Sequence, residues 1–172
     1  MVDRESGPPF FMQTSVTVTI DLKRLKQYKI DFGQAGLVVV YKKWAIRYRA
    51  YIQTRFVTNS RGGGDWPPLS PRTVAGRRKK SSVILRDTGT LFAALSPVWD
   101  SPPGGINKLI EGGVVVGFGG SLKHPSGFAT IAEIAGFHQV GGGRLPKREI
   151  IVQPDSQTIR TFIEDLEREL KK

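Results

Sequence analysis

Between Val40 and Phe56 the residues Val40, Trp44, Tyr48, Tyr51, Ile52 and Phe56 recur at intervals of three and four, with Ile46 or Arg47 completing the set. A strand cannot gather such a series on one side, because its side chains alternate with period two. A helix of about 20 residues can. A helix with so many aromatic side chains along one face has to be covered, so the rest of the chain must supply a surface to lay against it. Aromatics at helical spacing belong to a core, which assigns Arg47, Arg49 and Arg55 to the wet face. The alternative for interleaved arginine and tyrosine is a nucleic-acid surface.

The covering surface is legible as strands. SVTVTID, from Ser15, alternates Val16, Val18 and Ile20 against threonines, as a half-buried strand does. Lys108 to Glu111 and Val114 to Phe118 read as a hairpin turned at Gly112-Gly113, a pair that accepts the positive φ of a tight turn. Arg148 to Val152 reads as a last strand. Shorter helices are expected from Ser70-Pro71, an N-cap followed by proline at the first helical position, to about Arg78; from Thr88 to Leu95, capped by Asp87 or Thr88; and over Phe128 to His138. After Pro154, with Asp155 or Ser156 as cap, Ile159, Phe162, Ile163, Leu166 and Leu170 share one face of a C-terminal helix. Leu22, Leu25, Tyr28 and Phe32 form a short amphipathic set before the long helix.

These elements predict a single α+β domain: a small antiparallel or mixed sheet packed by one long helix and a C-terminal helix. A chain of 172 residues suits one domain of this kind. Residues 1–14, with their Gly-Pro-Pro break, read as an N-terminal arm, and 15–172 as the domain, with an extended basic loop at about 59–86.

There is no cysteine, so disulfides, thiolate nucleophiles and thiolate zinc sites are excluded. His124 and His138 are the only histidines, and neither has a flanking carboxylate pair or a G-x-S-x-G serine to serve. The Asp87-Thr88-Gly89 triplet resembles an aspartic-protease motif only superficially. It occurs once and precedes a helix-forming LFAAL, so Asp87 or Thr88 reads as a helix cap. GVVVGFGGS and QVGGGRLPKR match no phosphate loop. No catalytic, cofactor-binding or metal-ligating set is expected, and a hydrolase is the weakest reading. No run of apolar residues approaches a membrane span or a signal peptide, which predicts a protein made in the cytosol or assembled there into something larger.

The net charge of +11 points to an acidic partner: DNA, an anionic surface or an acidic protein. More than half of it lies in one stretch, where Arg61, Arg72, Arg77, Arg78, Lys79, Lys80 and Arg86 stand against Asp65 alone. GRRKK has no recognition-helix or RNA-platform motif around it, so nucleic-acid contact there would be non-specific and salt-sensitive.

The order of short motifs is more informative than any one of them. W-x-P-L-S at Trp66 to Ser70, Thr73, the basic run, L-x-D-T-G-x-L at Leu85 to Leu91, Phe137-His138-Gln139-x-Gly141, and Leu145-Pro146-Lys147-Arg148 before the terminal helix follow one another. This text resembles the virion morphogenesis, or tail-completion, family of tailed bacteriophages, with its Mu-like members closest. The resemblance covers about residues 20–172. It implies a non-enzymatic structural protein of the virion neck: a tail-completion or tail-terminator ring of six at the head–tail junction, assembled in the host cytoplasm. Implied partners are other copies of the chain, the adjoining connector or neck protein, the tail tube or sheath protein, and the DNA end, with no membrane contact and no cofactor. Trp66, Leu69, Arg72, Arg77, Arg78, Lys79 and Lys80 are then the interface candidates, Trp66 and Leu69 as apolar anchors. Trp66 folding back over its own domain is the alternative to an anchor. A non-specific DNA-binding protein of phage origin is the alternative function.

Overall fold

The computed structural model describes residues 15–19, 34–59, 65–110 and 113–171. The expected arm at 1–14, the Leu22 to Phe32 set, the glycines at 62–64 and Gly112 lie outside them. In chain order the elements are β1 (Ser15–Thr19), α1 (Gln34–Thr58), α2 (Pro71–Gly76), α3 (Thr90–Ala94), β2 (Gly105–Ile110), β3 (Gly113–Phe118), α4 (Ile131–Val140) and α5 (Ser156–Leu170). The architecture is α+β, as expected from the sequence.

The sheet is antiparallel with order β1-β3-β2. Its central strand pairs Ser15 with Gly117 and Thr19 with Gly113 on one side, and Gly105 with Phe118 and Ile110 with Gly113 on the other. Val114, Val116 and Phe118 share one parity of β3 and join the core formed with Val40, Trp44, Tyr48, Ile52 and Phe56 of α1. The sequence period thus gives both the helix and its buried side.

Arg49 breaks the expected division. It lies on the inner side of α1 with 0% exposure, not on the wet face. Its spacing explains this: Arg49 is four residues after Ala45 and three before Ile52, both fully buried. No carboxylate of the described residues meets it. Nε donates to Asn107 Oδ1 at 2.8 Å, Nη1 to the carbonyls of Ala94 at 2.7 Å and Ser96 at 3.4 Å, and Nη2 to the Ile106 carbonyl at 2.9 Å. Burial pulls its pKa down to about 10, which leaves it charged at neutral pH. The approach is close enough to demand glycine next door, since a Cβ on Gly105 would sit 2.0 Å from the Ala94 carbonyl oxygen and 3.1 Å from Arg49 Nη2.

α5 is capped by Asp155, whose carboxylate accepts the Thr158 N–H at 2.7 Å. It docks on α1 through Phe162, stacked on Trp44 with centroids 5.5 Å apart, and through Leu166. The helix is rotated from the expected face. Ile159 and Ile163 are 45% and 48% exposed, while Asp165 is buried and pairs with Arg47 Nη1 at 2.5 Å and Arg168 Nη1 at 3.6 Å. A buried carboxylate has to keep its cation, and Arg47 at the flank of α1 holds that edge of α5 inward.

Two further expectations change. Arg148 to Val152 is not a strand of the sheet. The cap of α3 is Gly89 at φ 75°, with Thr88 Oγ1 accepting the Thr90 N–H at 3.3 Å, and Asp87 turns instead toward Arg77.

Replacing Arg49 by methionine keeps the bulk and orphans the carbonyls of Ala94 and Ile106 and the Asn107 side chain. The expected loss is ~3 kcal/mol of unfolding free energy or more, measured by urea denaturation at pH 7.

Candidate functional site: a cationic cleft

The segment from Arg148 to Val152 is held by side chains where a strand would use a neighbouring backbone. Gln139, near the end of α4, donates through Nε2 to the Ile151 carbonyl at 2.7 Å, and its Oε1 accepts the N–H groups of Ile150 and Ile151 at 2.8 and 3.0 Å. The amide of one glutamine therefore pairs with backbone as a short piece of strand does. The Arg148 N–H donates to the His138 carbonyl at 2.7 Å, and Tyr48 Oη donates to the Val152 carbonyl at 2.6 Å.

Trp66 belongs to the same assembly. It is 1% exposed, packs edge-on against Phe56 with centroids 5.2 Å apart, and donates from Nε1 to the Glu149 carbonyl at 3.1 Å. Arg148 returns the contact, its Nε and Nη2 donating to the Pro67 carbonyl at 3.3 and 3.1 Å. Two segments some 80 residues apart thus exchange side-chain to backbone hydrogen bonds. Trp66 is therefore a core residue and is not available as an interface anchor. Its indole completes the wall of its own domain, the alternative weighed for it above.

A cleft of about 630 Å³ opens over this clasp. Pro67, Pro68, Leu69, Ser70 and Thr73 form one side; Arg77, Leu85, Asp87, Thr88 and Leu91 a second; His124, Ile134 and His138 a third; and 143 to 146 with Arg148 the last. Each wall has its own tether. Ser70 Oγ accepts the Thr73 N–H at 3.2 Å and caps α2, as its Ser-Pro sequence predicts. Arg77 is also fixed: Nη1 donates to the carbonyls of Ser81, at 2.9 Å, and Val83, and Nε lies 3.9 Å from Asp87 Oδ1. Leu85 is buried at φ 55°, a left-handed conformation that a leucine adopts only when packing holds it. Gly141, at φ 72°, lets the end of α4 pass the 147 backbone, since a Cβ there would meet Lys147 N at 2.7 Å.

The histidines differ. His124 Nδ1 accepts the Ser126 N–H at 3.1 Å, so the neutral ring carries its proton on Nε2, 3.2 Å from Thr88 Oγ1. Burial and then Arg78 depress its pKa, against the opposing pull of Asp87. His138 is held at about 4, first by burial and then by Arg148, His124 and Arg77, and its Nδ1 is buried without a hydrogen-bond partner. It is neutral at physiological pH. His124 Nδ1 also lies 2.9 Å from Ser126 Oγ, and Ser70 is occupied as a cap. Among the described residues no group of three His, Asp or Glu is placed to hold a metal ion.

Of the seven interface candidates, Leu69 and Arg77 line the cleft and Trp66 lies beneath it. Arg77 tethers the 77–87 turn. Arg72, Arg78, Lys79 and Lys80 are exposed and stand outside the cleft, and their side chains make no hydrogen bond or ion pair among the described residues. The connection does not leave the domain between 65 and 86. Trp66, Ile84 and Leu85 bury its two ends, and Arg86 covers the Phe92 ring at 4.5 Å, so the exposed bases ride on an anchored arch. His138, Gln139, Arg144 and Arg148 were not among the candidates. His138 and Gln139 follow each other in one motif and Arg148 ends another, but no periodicity brings the two motifs together.

Comparison with protein-family models, with curated proteins and with solved structures finds no match. No helix of the described residues is long and apolar enough to cross a membrane.

Two outcomes follow from this geometry. Gln139→Ala removes three hydrogen bonds from the 150–151 backbone and is expected to cost roughly 1–3 kcal/mol, with hydrogen exchange at Ile150 and Ile151 rising more than at α1. The unfolded chain protonates His138 at its ordinary value near 6.5 and the folded chain near 4. The unfolded state therefore gains the proton first, and stability falls as pH drops from about 7 toward 4. Denaturation at pH 7 and pH 5 should differ by on the order of 1 kcal/mol from this group, a difference His138→Gln removes.

Proposed function

We propose that this chain is a structural protein of the tailed-phage neck, a ring subunit at the head–tail junction that completes or terminates the tail. The observation that carries the reading is where the residues of the family resemblance come together. Leu69, Thr73, Asp87, His138, Pro146 and Arg148 line a single cleft, and Trp66 and Gln139 fasten the segments that bound it. Motif residues that attach one backbone segment to another suit a chain whose task is to keep a shape under load. The reading includes a ring of six, with the adjoining connector or neck protein and the tail tube or sheath protein as neighbours, and the virion as its location.

The exposed bases supply the attachment. Arg72, Arg78, Lys79 and Lys80 lie on an arch whose ends are buried, so they present charge at a fixed place. Copies carrying +11 each repel one another, and a ring of them needs an acidic counterpart in the neighbouring subunit, the adjoining ring or the DNA end.

Negative-stain imaging and sedimentation of the purified chain, alone and with its adjoining neck proteins, test this. Six-fold rings, or incorporation into particles, are expected. Reversal of Arg72, Arg78, Lys79 and Lys80 to glutamate should abolish the joining step while leaving the fold unchanged. Persistent monomers that never join particles, yet retain duplex DNA with an affinity falling steeply between about 50 and 200 mM salt, would replace this reading with the DNA-binding one.

A further inference from the structure

The cleft holds more positive charge than its own walls neutralise. Arg148 is 3% exposed, and both of its side-chain hydrogen bonds go to one acceptor, the Pro67 carbonyl. Arg49, the other fully enclosed arginine, shows what a satisfied one looks like here, with four acceptors shared among Nε, Nη1 and Nη2. No carboxylate among the described residues pairs with Arg148. Arg77 and the two histidines stand close enough to act on one another through their charges, and Arg144 is exposed at the rim. The one acid of the lining, Asp87, lies beside Arg77 and is itself exposed. His138 Nδ1, buried and unpartnered in the same cleft, adds a polar atom that nothing among the described residues satisfies. An enclosed cation with this little compensation calls for an anion.

The walls say what carries the anion. Pro67, Pro68, Leu69, Leu145 and Pro146 give an apolar surround, and no Phe, Tyr or Trp is in the lining, so a base would find only the two imidazoles to stack on. A volume of about 630 Å³ lies in the range that encloses a small ligand or a few side chains. We propose that the cleft is a docking site for a short segment of another protein chain that bears a carboxylate among aliphatic or proline residues, the carboxylate meeting Arg148 and Arg144. Planar guanidinium groups suit that partner through paired N–H donors. The proposal stands on the cleft alone, so a chain that forms no ring leaves it intact.

The test uses the full chain and a synthetic octapeptide of glutamate, leucine and proline, followed by calorimetry and by the His138 imidazole resonance. The same peptide with glutamine for glutamate should bind at least tenfold more weakly. Arg148→Lys should lower affinity about tenfold, because a lysine cannot offer two parallel donors. Should that variant fold poorly, Arg144→Glu, at an exposed site, should lower it three- to tenfold. Arg160→Glu, an equal change of charge on α5 away from the cleft, should alter it less than twofold. In the complex the His138 resonance should titrate at a higher pH than in the free protein, since a nearby anion favours its charged form. Equal binding of the glutamate and glutamine peptides, equal losses at Arg144 and Arg160, or no binding at millimolar peptide would overturn the proposal. So would a thymidine octamer that binds more tightly than the peptide and shifts the same resonance, which would make the cleft a nucleic-acid site.

Discussion

The fold turns on a guanidinium that has no counter-ion among the described residues. Arg49 enters the core from the middle of α1 and reaches the end of α3, the loop after it and the start of β2 in one step. Asn107, which accepts from it, donates in turn to the carbonyls of Val98 and Trp99 at 3.0 and 2.5 Å. The connection from 95 to 101 has no regular structure of its own, and the carbonyls of Val98 and Trp99 in it take these donors. A single planar cation holds the carbonyls of Ala94, Ser96 and Ile106 and fixes the long helix relative to the sheet.

The same device recurs around the cleft on a smaller scale. Gln139, Trp66 and Tyr48 each bond a side chain to the backbone of the 148–152 segment, and Arg148 of that segment donates to the Pro67 carbonyl. A β-ladder would have tied that segment to one neighbour along its length. Side chains tie it instead to α1, to α4 and to the 66–67 turn, so three elements converge where a strand would have joined two. The convergence leaves a concavity between them.

Much of this architecture was legible because it is periodic. The spacing from Val40 to Phe56, the alternation in SVTVT, the Ser-Pro start of α2 and the Asp155 cap of α5 each have a local physical cause, and each is present. What escaped were side chains whose partners are distant. Arg49 has core spacing but the chemistry of a surface residue, and the chemistry was given too much weight. Asp165 rotates α5 through its pairing with Arg47, which no property of the five apolar positions contains. The stretch from 65 to 86 reads as solvent-bound from its prolines and charges, yet Trp66, Ile84 and Leu85 fix its ends. Composition describes a connection on average, whereas three side chains decide where it lies. The cleft itself was illegible for the same reason: its motifs were visible one by one, and their meeting depends on the whole topology.

The clasp between Trp66 and Glu149 has a consequence in time. Closing a loop of some 80 residues carries an entropic cost that only late, non-local contacts repay, so this pairing belongs to the slow end of folding. During synthesis, α1 and the hairpin of β2 and β3 are complete well before Arg148 and Glu149 emerge. A growing chain therefore holds its helix and sheet while Trp66 still lacks its acceptor and the cleft lacks a wall. The cleft thus comes into being only after the helix and sheet that flank it, when Glu149 reaches Trp66.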